Sequence, residues 1–242
     1  MLSKIKNHFH DWTTYDYVFL TTAFLSTLLC TIIFKSSVIS FFSSFLGIAT
    51  ALLSSKAKWY AYVVGIIQLV FYCLASYFST NYGELLLSVV IVFPMYVYTL
   101  TTWKRNNDDK HNVVVNKLNV KEVTIVLLSQ VALFFAYYFI LKAFNTPLVI
   151  VATFSILTRT LAVYFMSRRS PLGYLSYITN DIISIVVWSI PLANGDLSYL
   201  PIIINFVLSL VNDINAIFRW RRLSKRQNEN IKSETKTINE NI

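Results

Sequence analysis

The sequence has few charged residues, glycines, prolines, cysteines and histidines. Only 14% of its 242 residues are charged, and it contains five glycines, five prolines, three histidines and two cysteines. Soluble domains carry about 25% charged residues, so this composition argues against a water-soluble enzyme. Cys30 and Cys73 lie inside apolar segments without metal-ligand spacing, which argues against a disulfide framework or a zinc site.

Residue sets that carry catalysis are also missing. His8, His10 and His111 all lie outside the apolar runs, and no glycine-rich phosphate loop is present. We therefore predict no catalytic residues, no metal and no cofactor, and no enzymatic activity. The basic residues that give the net charge of +9 lie mainly between the apolar runs, so this charge does not predict nucleic acid as a partner.

The sequence is instead rich in long apolar runs, with 55% hydrophobic residues and a mean hydropathy of +0.55. About 20 apolar residues cross a bilayer as a helix. Eight segments fit this description: Tyr15 to Phe34, Val38 to Leu53, Trp59 to Phe78, Leu85 to Trp103, Val123 to Leu141, Leu148 to Met166, Leu172 to Pro191 and Tyr199 to Trp220. The first run lacks a cleavage pattern, so we expect it to remain as a helix. The sequence predicts an all-α integral membrane protein embedded in a lipid bilayer.

The basic residues between these segments predict an orientation. Eighteen Lys and Arg side chains fall on one side of the predicted membrane, whereas only Lys35 and Lys142 fall on the other. Because cytoplasmic loops attract Lys and Arg, we expect both termini in the cytoplasm. The polar tail from Lys225 to Ile242 is expected to be disordered.

Two short segments indicate an internal repeat. Asn81–Leu85 and Ala193–Leu197 each carry a Gly-acid pair in a predicted outside turn, and both following helices end in Trp and two basic residues. The pattern predicts two parallel three-helix repeats joined by one helix, a SWEET-like 3+1+3 core with an additional N-terminal helix. The predicted units are an N-terminal segment and helix (1–37), the first repeat (38–103), a loop and linker helix (104–147), the second repeat (148–222) and a tail (223–242).

Polar residues inside membrane helices are candidates for a binding site. Gln68 and Asn180 fall at equivalent depths in the two repeats, with Asp181 beside Asn180, and we expect the two amides to bind a ligand. For Asp213 and Asn215 in the last span, we favour contacts between helices, with Arg219 as a partner.

Other polar or helix-breaking residues receive structural interpretations. Arg159 is expected to extend toward the cytoplasmic face, with an ion pair to Asp181 or Asp213 as the alternative. Asp16 is expected to reach the membrane interface, and Pro94 to kink the fourth span.

Aromatic residues form a second pattern. Tyr174 and Tyr177 precede Asn180 at three-residue steps, which places aromatic and polar groups on one helix face that suits a flat polar ligand. Trp59, Trp103 and Trp220 fit an interfacial belt instead.

These residues resemble the PnuC family of bacterial vitamin and nucleoside transporters. The resemblance runs from about Phe45 to Trp220 and is clearest in Gly65–Gln68, Tyr72, Tyr82–Glu84, Pro94-Met95, Tyr174 to Asp181, Trp188, and Asn212 followed by Trp220. It implies facilitated diffusion of a nucleoside-like metabolite, a homotrimer and trapping of the substrate by a cytosolic kinase. The predicted substrate-binding residues are Gln68, Tyr72, Tyr96, Tyr174, Tyr177, Asn180, Asp181, Trp188 and Asn212.

Departures from the family pattern bear on the substrate. Nicotinamide riboside carriers of the family have Asn at the positions of Gln68 and Ser88. They have Gln at the position of Tyr96, and Trp at the positions of Tyr174 and Tyr177. From these changes we expect the substrate to be a deoxyribonucleoside, with nicotinamide riboside as a close second candidate and thiamine or riboflavin as less favoured ones. A structural membrane protein without transport activity is the alternative outside this family.

Overall fold

The computed structural model describes residues 12–108, 112–146 and 148–240. Within these residues it contains helices α1 (Thr14–Ile33), α2 (Val38–Ser55), α3 (Ala61–Phe78), α4 (Tyr82–Leu87), α5 (Phe93–Arg105), α6 (Val120–Ala143), α7 (Val149–Ser167), α8 (Leu172–Ala193) and α9 (Leu200–Glu240). A π-helical turn, Ser88–Val92, joins α4 to α5, and a 3-10 turn, Leu197–Tyr199, precedes α9. His8, His10 and His111 of the sequence analysis lie outside the described residues, as do residues 241–242 of the predicted tail and, among the eighteen basic residues counted on one side, Lys4, Lys6 and Lys110.

The predicted number of spans is confirmed. In the described part of the chain, eight helical segments are long and apolar enough to cross a membrane, with α4, the π-helical turn and α5 forming one segment. The predicted boundaries differ from the observed ones by a few residues at most span ends, and the largest difference is at the end of α9. The chain is therefore an all-helical, multi-pass membrane protein.

Tight turns connect successive helices. Ala57, Thr80 and Arg169 each adopt a left-handed backbone conformation directly after a helix, with φ of 56°, 56° and 58°. The next backbone N–H then donates to a carbonyl five residues back, as Lys58 does to Leu53 at 3.2 Å. This closure satisfies the last carbonyls of the helix and reverses the chain within a few residues.

The fourth span contains a π-helical turn at a position that the sequence explains. Pro94 has no backbone N–H to donate to the carbonyl four residues earlier, and the π-helical turn Ser88–Val92 lies immediately before it. The span begins at Tyr82 rather than at the predicted Leu85. Glu84, which the sequence analysis placed in an outside turn, therefore belongs to the helix and is buried.

Helix packing places the two predicted triplets against each other. α2 packs on α3 and α7 packs on α8, while α9 contacts α2 and α5 contacts α7. The third helix of each triplet thus contacts the first helix of the other, as the predicted repeat requires; the repeat itself stays a prediction. α1 packs at the periphery on α2 and α9, and α6 packs on α7.

The tail prediction is wrong for the described residues. α9 runs to Glu240 and has 41 residues, a length of about 60 Å at 1.5 Å per residue, so its second half extends beyond the bundle. Gln227 attaches this extension to the segment between α5 and α6: its Nε2 donates to Asp108 Oδ2 at 3.0 Å and its Oε1 accepts from the Val115 N–H at 3.0 Å. Arg226 also pairs with Asp108. These long-range contacts stabilise a helix that the polar sequence did not predict.

The two ends of the bundle differ in charge. The end that carries Lys56, Lys58 and Arg219 is called the basic end below, and the end that carries Gly195 and Asp196 is called the opposite end. Which end faces the cytoplasm stays a prediction based on the distribution of basic residues.

Candidate functional site

A polar cavity of about 90 Å³ lies between the two triplets. It is lined by Gly47, Thr50, Ala51, Ser54, Tyr62, Gln68, Tyr72, Tyr96, Arg159, Tyr177, Asn180, Asp181, Asn205, Phe206, Ser209 and Asp213. These residues come from α2, α3, α5, α7, α8 and α9, so both triplets contribute to one cavity. Pockets for small molecules usually have about 300 to 1,000 Å³. A nucleoside-sized ligand therefore requires the surrounding side chains or helices to move apart.

Six of the nine predicted binding residues line this cavity. They are Gln68, Tyr72, Tyr96, Tyr177, Asn180 and Asp181. Tyr174, Trp188 and Asn212 do not line it, although all three are buried close to it in the bundle. The binding role of these residues stays a prediction.

Glu84 is at the centre of a buried hydrogen-bond network beside the cavity. Its Oε2 accepts from Arg159 Nη1 at 2.9 Å and from the Tyr72 hydroxyl at 3.0 Å, and its Oε1 accepts from Ser155 Oγ at 2.9 Å. Trp188 Nε1 donates to the Tyr72 hydroxyl oxygen at 3.2 Å. The network links the α3–α4 corner of the first triplet to α7 and α8 of the second.

The structure corrects both interpretations of Arg159. Its partner is Glu84, rather than water at the cytoplasmic face, Asp181 or Asp213. Helix side chains tilt toward the helix N-terminus, and the N-terminus of α7 lies at the same end of the bundle as α4. The guanidinium therefore points toward Glu84 and lies over the Tyr72 ring, with Cζ 4.7 Å from the ring centroid.

Two carboxylates line the cavity, Asp181 and also Asp213, which the sequence analysis assigned to contacts between helices. Asp181 and Asp213 are both buried there, on α8 and α9. In the described structure, Asp181 Oδ2 and Asn205 Oδ1 are buried atoms without a hydrogen-bond partner. Buried acceptors of this kind are costly unless a bound group satisfies them, so the cavity is suited to a ligand that donates hydrogen bonds or carries positive charge.

Asn180 contacts the neighbouring helix as well as the cavity. Its Nδ2 donates to the Ser155 carbonyl oxygen at 2.9 Å and lies 3.3 Å from Thr158 Oγ1. These bonds orient the amide against α7. Gln68 lines the cavity from α3, on the other triplet.

An aromatic cluster closes the cavity on the side of the basic end. Tyr62 and Trp103 have ring centroids 4.8 Å apart, Trp103 lies 5.5 Å from Trp220, and Trp220 lies 5.6 Å from Tyr174. Trp220 Nε1 donates to the Ser54 carbonyl oxygen at 3.3 Å. The belt interpretation of Trp103 and Trp220 is wrong, because both are fully buried. We call Tyr62, Trp103, Tyr174 and Trp220 the basic-end aromatic cluster.

A second cluster closes the cavity toward the opposite end. Tyr72, Trp188, Tyr199, Ile202 and Phe206 pack together there, with the Trp188 and Tyr199 ring centroids 5.6 Å apart. Beyond them, a recess of about 300 Å³ opens at the opposite end, and Tyr199 lines it too. The cavity thus lies between two layers of packed aromatic side chains.

The remaining polar predictions divide between confirmed contacts and corrections. Asn215 Nδ2 donates to the Tyr15 hydroxyl at 3.0 Å, a contact between α9 and α1. Arg219 pairs with Asp16 at 2.7 Å rather than with Asp213 or Asn215. Asp16 is fully buried between Arg219 and Lys56 instead of lying exposed at the interface.

Residues that sequence reasoning missed had visible signals. Glu84 is a carboxylate next to a predicted span, and Arg159 is a basic residue within another span. The two can pair because α4 and α7 are adjacent in the fold. Asn205 is a further polar residue on the apolar last span, and the sequence analysis did not assign it to the site. Gly47 is where α2 and α9 approach closely, because a Cβ there would lie 2.7 Å from Asn205 Oδ1.

Metal binding finds no support in the described part of the chain, which contains no group of three or more His, Cys, Asp or Glu side chains placed to hold an ion.

Known proteins match this chain over most of its length. A family model described as nicotinamide mononucleotide transporter matches residues 37–222. The nicotinamide riboside transporter PnuC of Neisseria mucosa is 23% identical over 225 residues, which cover 90% of this chain and 85% of that protein. The crystal structure of the vitamin B3 transporter PnuC superposes with a TM-score of 0.81 at 20% identity, covering 91% of this chain and 96% of that one.

Proposed function

Because the chain belongs to the nicotinamide mononucleotide transporter family, we propose that it carries a nucleoside-like metabolite across the membrane through the cavity between its two triplets. The observation that carries the proposal is the position of this cavity. It is polar, buried in an otherwise apolar bundle, and lies between two aromatic clusters. Opening one cluster at a time would give the substrate access from one side at a time.

The two carboxylates favour a positively charged substrate. Arg159, a basic residue that lines the cavity, is paired with Glu84. In the described part of the chain, one oxygen of Asp181 has no hydrogen-bond partner, and Asp213 accepts a hydrogen bond from the Asn212 amide. The pyridinium ring of nicotinamide riboside carries a positive charge, and its carboxamide donates hydrogen bonds. We therefore propose nicotinamide riboside ahead of a deoxyribonucleoside as the substrate, the opposite of the ranking from the sequence. The cavity chemistry and the relative named as a nicotinamide riboside transporter support this order.

Nucleotides are not expected to be substrates. A phosphate group needs unpaired basic side chains to bind, and in this cavity the Arg159 guanidinium is already bonded to Glu84. The carboxylates of Asp181 and Asp213 would also repel a phosphate group.

Uptake by proteoliposomes containing only the purified protein tests the proposal. We expect entry of labelled nicotinamide riboside without ATP, and competition by thymidine at higher concentration. The Asp181→Asn variant should weaken binding of nicotinamide riboside about tenfold, the equivalent of about 1.4 kcal/mol, and change thymidine binding less. Asp196→Asn is the matched control, because Asp196 is exposed outside the cavity and should leave both affinities unchanged.

The amides test the position of the site independently of charge. Replacing Asn180 or Gln68 by Leu should weaken binding by about 1 to 3 kcal/mol, because a ligand group loses its hydrogen-bond partner. Calorimetry on the folded variants measures the change. Wild-type affinity in both variants would place the binding site elsewhere.

We also propose facilitated diffusion, a homotrimer in a bacterial inner membrane with both termini in the cytoplasm, and trapping of the substrate by a cytosolic kinase. Support for these comes from the family resemblance and from the basic residues at one end of the bundle. The mass of the detergent-solubilised protein, after subtraction of bound detergent, tests the trimer. A cysteine introduced at the basic end and treated in intact cells with a reagent that does not cross membranes tests the orientation. We expect no labelling, because this end is proposed to face the cytoplasm.

A further inference from the structure

The lining of the transport cavity differs in chemistry from helix to helix. The tyrosines that line it lie on α3, α5 and α8 and are Tyr62, Tyr72, Tyr96 and Tyr177. The part formed by α2 and α9 is mostly small or polar, with Phe206 as its ring, and its polar residues are Thr50, Ser54, Asn205, Ser209 and Asp213. We call this part the α2–α9 wall. Aromatic rings suit a flat base, whereas small polar groups suit the hydroxyls of a sugar.

Asn205 is the residue of the α2–α9 wall that most requires a ligand. The residue is only 7% exposed, and in the part of the chain that the structure describes its Oδ1 has no hydrogen-bond partner. A buried acceptor without a donor destabilises a folded protein. The position therefore favours a bound group that donates an O–H or N–H.

The neighbouring polar groups of the wall are also acceptors. The Thr50 hydroxyl donates to the Leu46 carbonyl oxygen at 2.8 Å, and the Ser54 hydroxyl donates to the Ala51 carbonyl oxygen at 3.0 Å. Their protons are thus used within α2, and the oxygens remain as acceptors. Asp213 adds a carboxyl group from α9. A sugar, whose hydroxyls donate hydrogen bonds, fits such a wall better than the carbonyl oxygens of a nucleobase do.

Gly47 provides the space for the Asn205 side chain between α2 and α9. A Cβ at Gly47 would lie 2.7 Å from Asn205 Oδ1 and 3.3 Å from its Nδ2. An amide that served only to join two membrane helices would bond a group on the facing helix. The Oδ1 of Asn205 has no such bond in the described structure, so a contact between helices does not explain this residue.

We propose that the sugar of the transported nucleoside binds at the α2–α9 wall, and that Asn205 accepts a hydrogen bond from a ribose hydroxyl. Asn205 is then a specificity-determining residue. This assignment rests on the proposed transport of a nucleoside-like metabolite. A site with a buried polar group rejects a ligand that lacks the matching hydroxyl, because the buried group then stays unpaired. Ribosides are therefore preferred to the corresponding deoxyribosides.

Binding of nicotinamide riboside and of its 2′-deoxy and 3′-deoxy analogues to the purified full-length protein tests the assignment. The wild type should bind the riboside about tenfold more tightly than the analogue that lacks the hydroxyl bonded to Asn205. Asn205→Leu should weaken binding of the riboside about tenfold and leave that analogue unaffected, so that the preference disappears. Asn215→Leu is the matched control and should keep the preference, because this amide lies on the same helix but bonds Tyr15 and does not line the cavity.

Gly47→Ala tests the same contact without removing the amide. Its Cβ displaces Asn205 Oδ1, so the preference for ribose should fall here too, and this variant carries the test if Asn205→Leu does not fold. If the wild type binds uridine rather than nicotinamide riboside, the same comparison is made with uridine and its deoxy analogues.

The outcomes separate the sugar assignment from the proposed function. The sugar assignment is overturned, and nucleoside transport stands, if the wild type binds a riboside without preferring it to either deoxy analogue. The same holds if Asn205→Leu keeps the preference or weakens all three ligands equally. A wild type that binds no nucleoside overturns the proposed function and the sugar assignment together.

Discussion

The ion pair between Glu84 and Arg159 gives the sharpest prediction about stability. Both side chains are buried, with 4% and 10% of their surface exposed, and their atoms approach to 2.9 Å. Removing one partner leaves a buried charge without compensation, which typically costs about 3 to 5 kcal/mol. For a chain of this size, about 1 kcal/mol corresponds to about 2 to 4 °C in Tm. We therefore expect Glu84→Leu and Arg159→Leu each to lower Tm by about 6 to 20 °C.

The double variant separates the cost of an unpaired charge from the contribution of the pair. Glu84→Leu combined with Arg159→Leu buries no unpaired charge and fills the space with apolar atoms, so it should lose much less than the sum of the two single changes. Tm in detergent, followed by circular dichroism, measures all three variants. Because Arg159 lines the cavity, the double variant should fold and still transport poorly.

An exposed ion pair at the basic end provides the control. Arg168 Nε lies 2.7 Å from Glu122 Oε1, but the two side chains are 40% and 25% exposed. Solvent screens such a pair, which typically contributes about 0 to 1 kcal/mol, so Glu122→Gln should change Tm by no more than a few degrees. The reasoning about Glu84 is refuted if its single variants are as stable as Glu122→Gln, or if the double variant loses the full sum.

Three further predictions concern the cavity, the tail and the energy source. Gly65→Ala should slow uptake about tenfold with little change in Tm, because a Cβ there would lie 2.9 Å from Tyr96 Cε2 and push that ring into the cavity; normal uptake would contradict this. Gln227→Ala should make the α9 extension sensitive to limited proteolysis, whereas exposed Asn228→Ala should not, and equal digestion of both would disprove the anchoring role. A proton ionophore should leave the initial uptake rate into proteoliposomes unchanged, and accumulation above the external concentration would refute facilitated diffusion.

The number and place of the membrane helices follow from the sequence because hydropathy is a local property. Each span needs about 20 consecutive apolar residues, and such runs are visible without knowledge of their neighbours. The same local reasoning placed Gln68 on α3 and Asn180 on α8, both of which line the cavity. A polar residue in an apolar helix must face a partner or a cavity.

Contacts between distant helices were decided only by the tertiary structure. Whether Arg159 extends toward water or pairs with Glu84 depends on which helices pack against α7, and this is not encoded near residue 159. Trp103 and Trp220 show the same limit. A tryptophan beside basic residues suits a membrane interface and a buried cluster equally well, and only the convergence of α5 and α9 buries both rings beside the cavity.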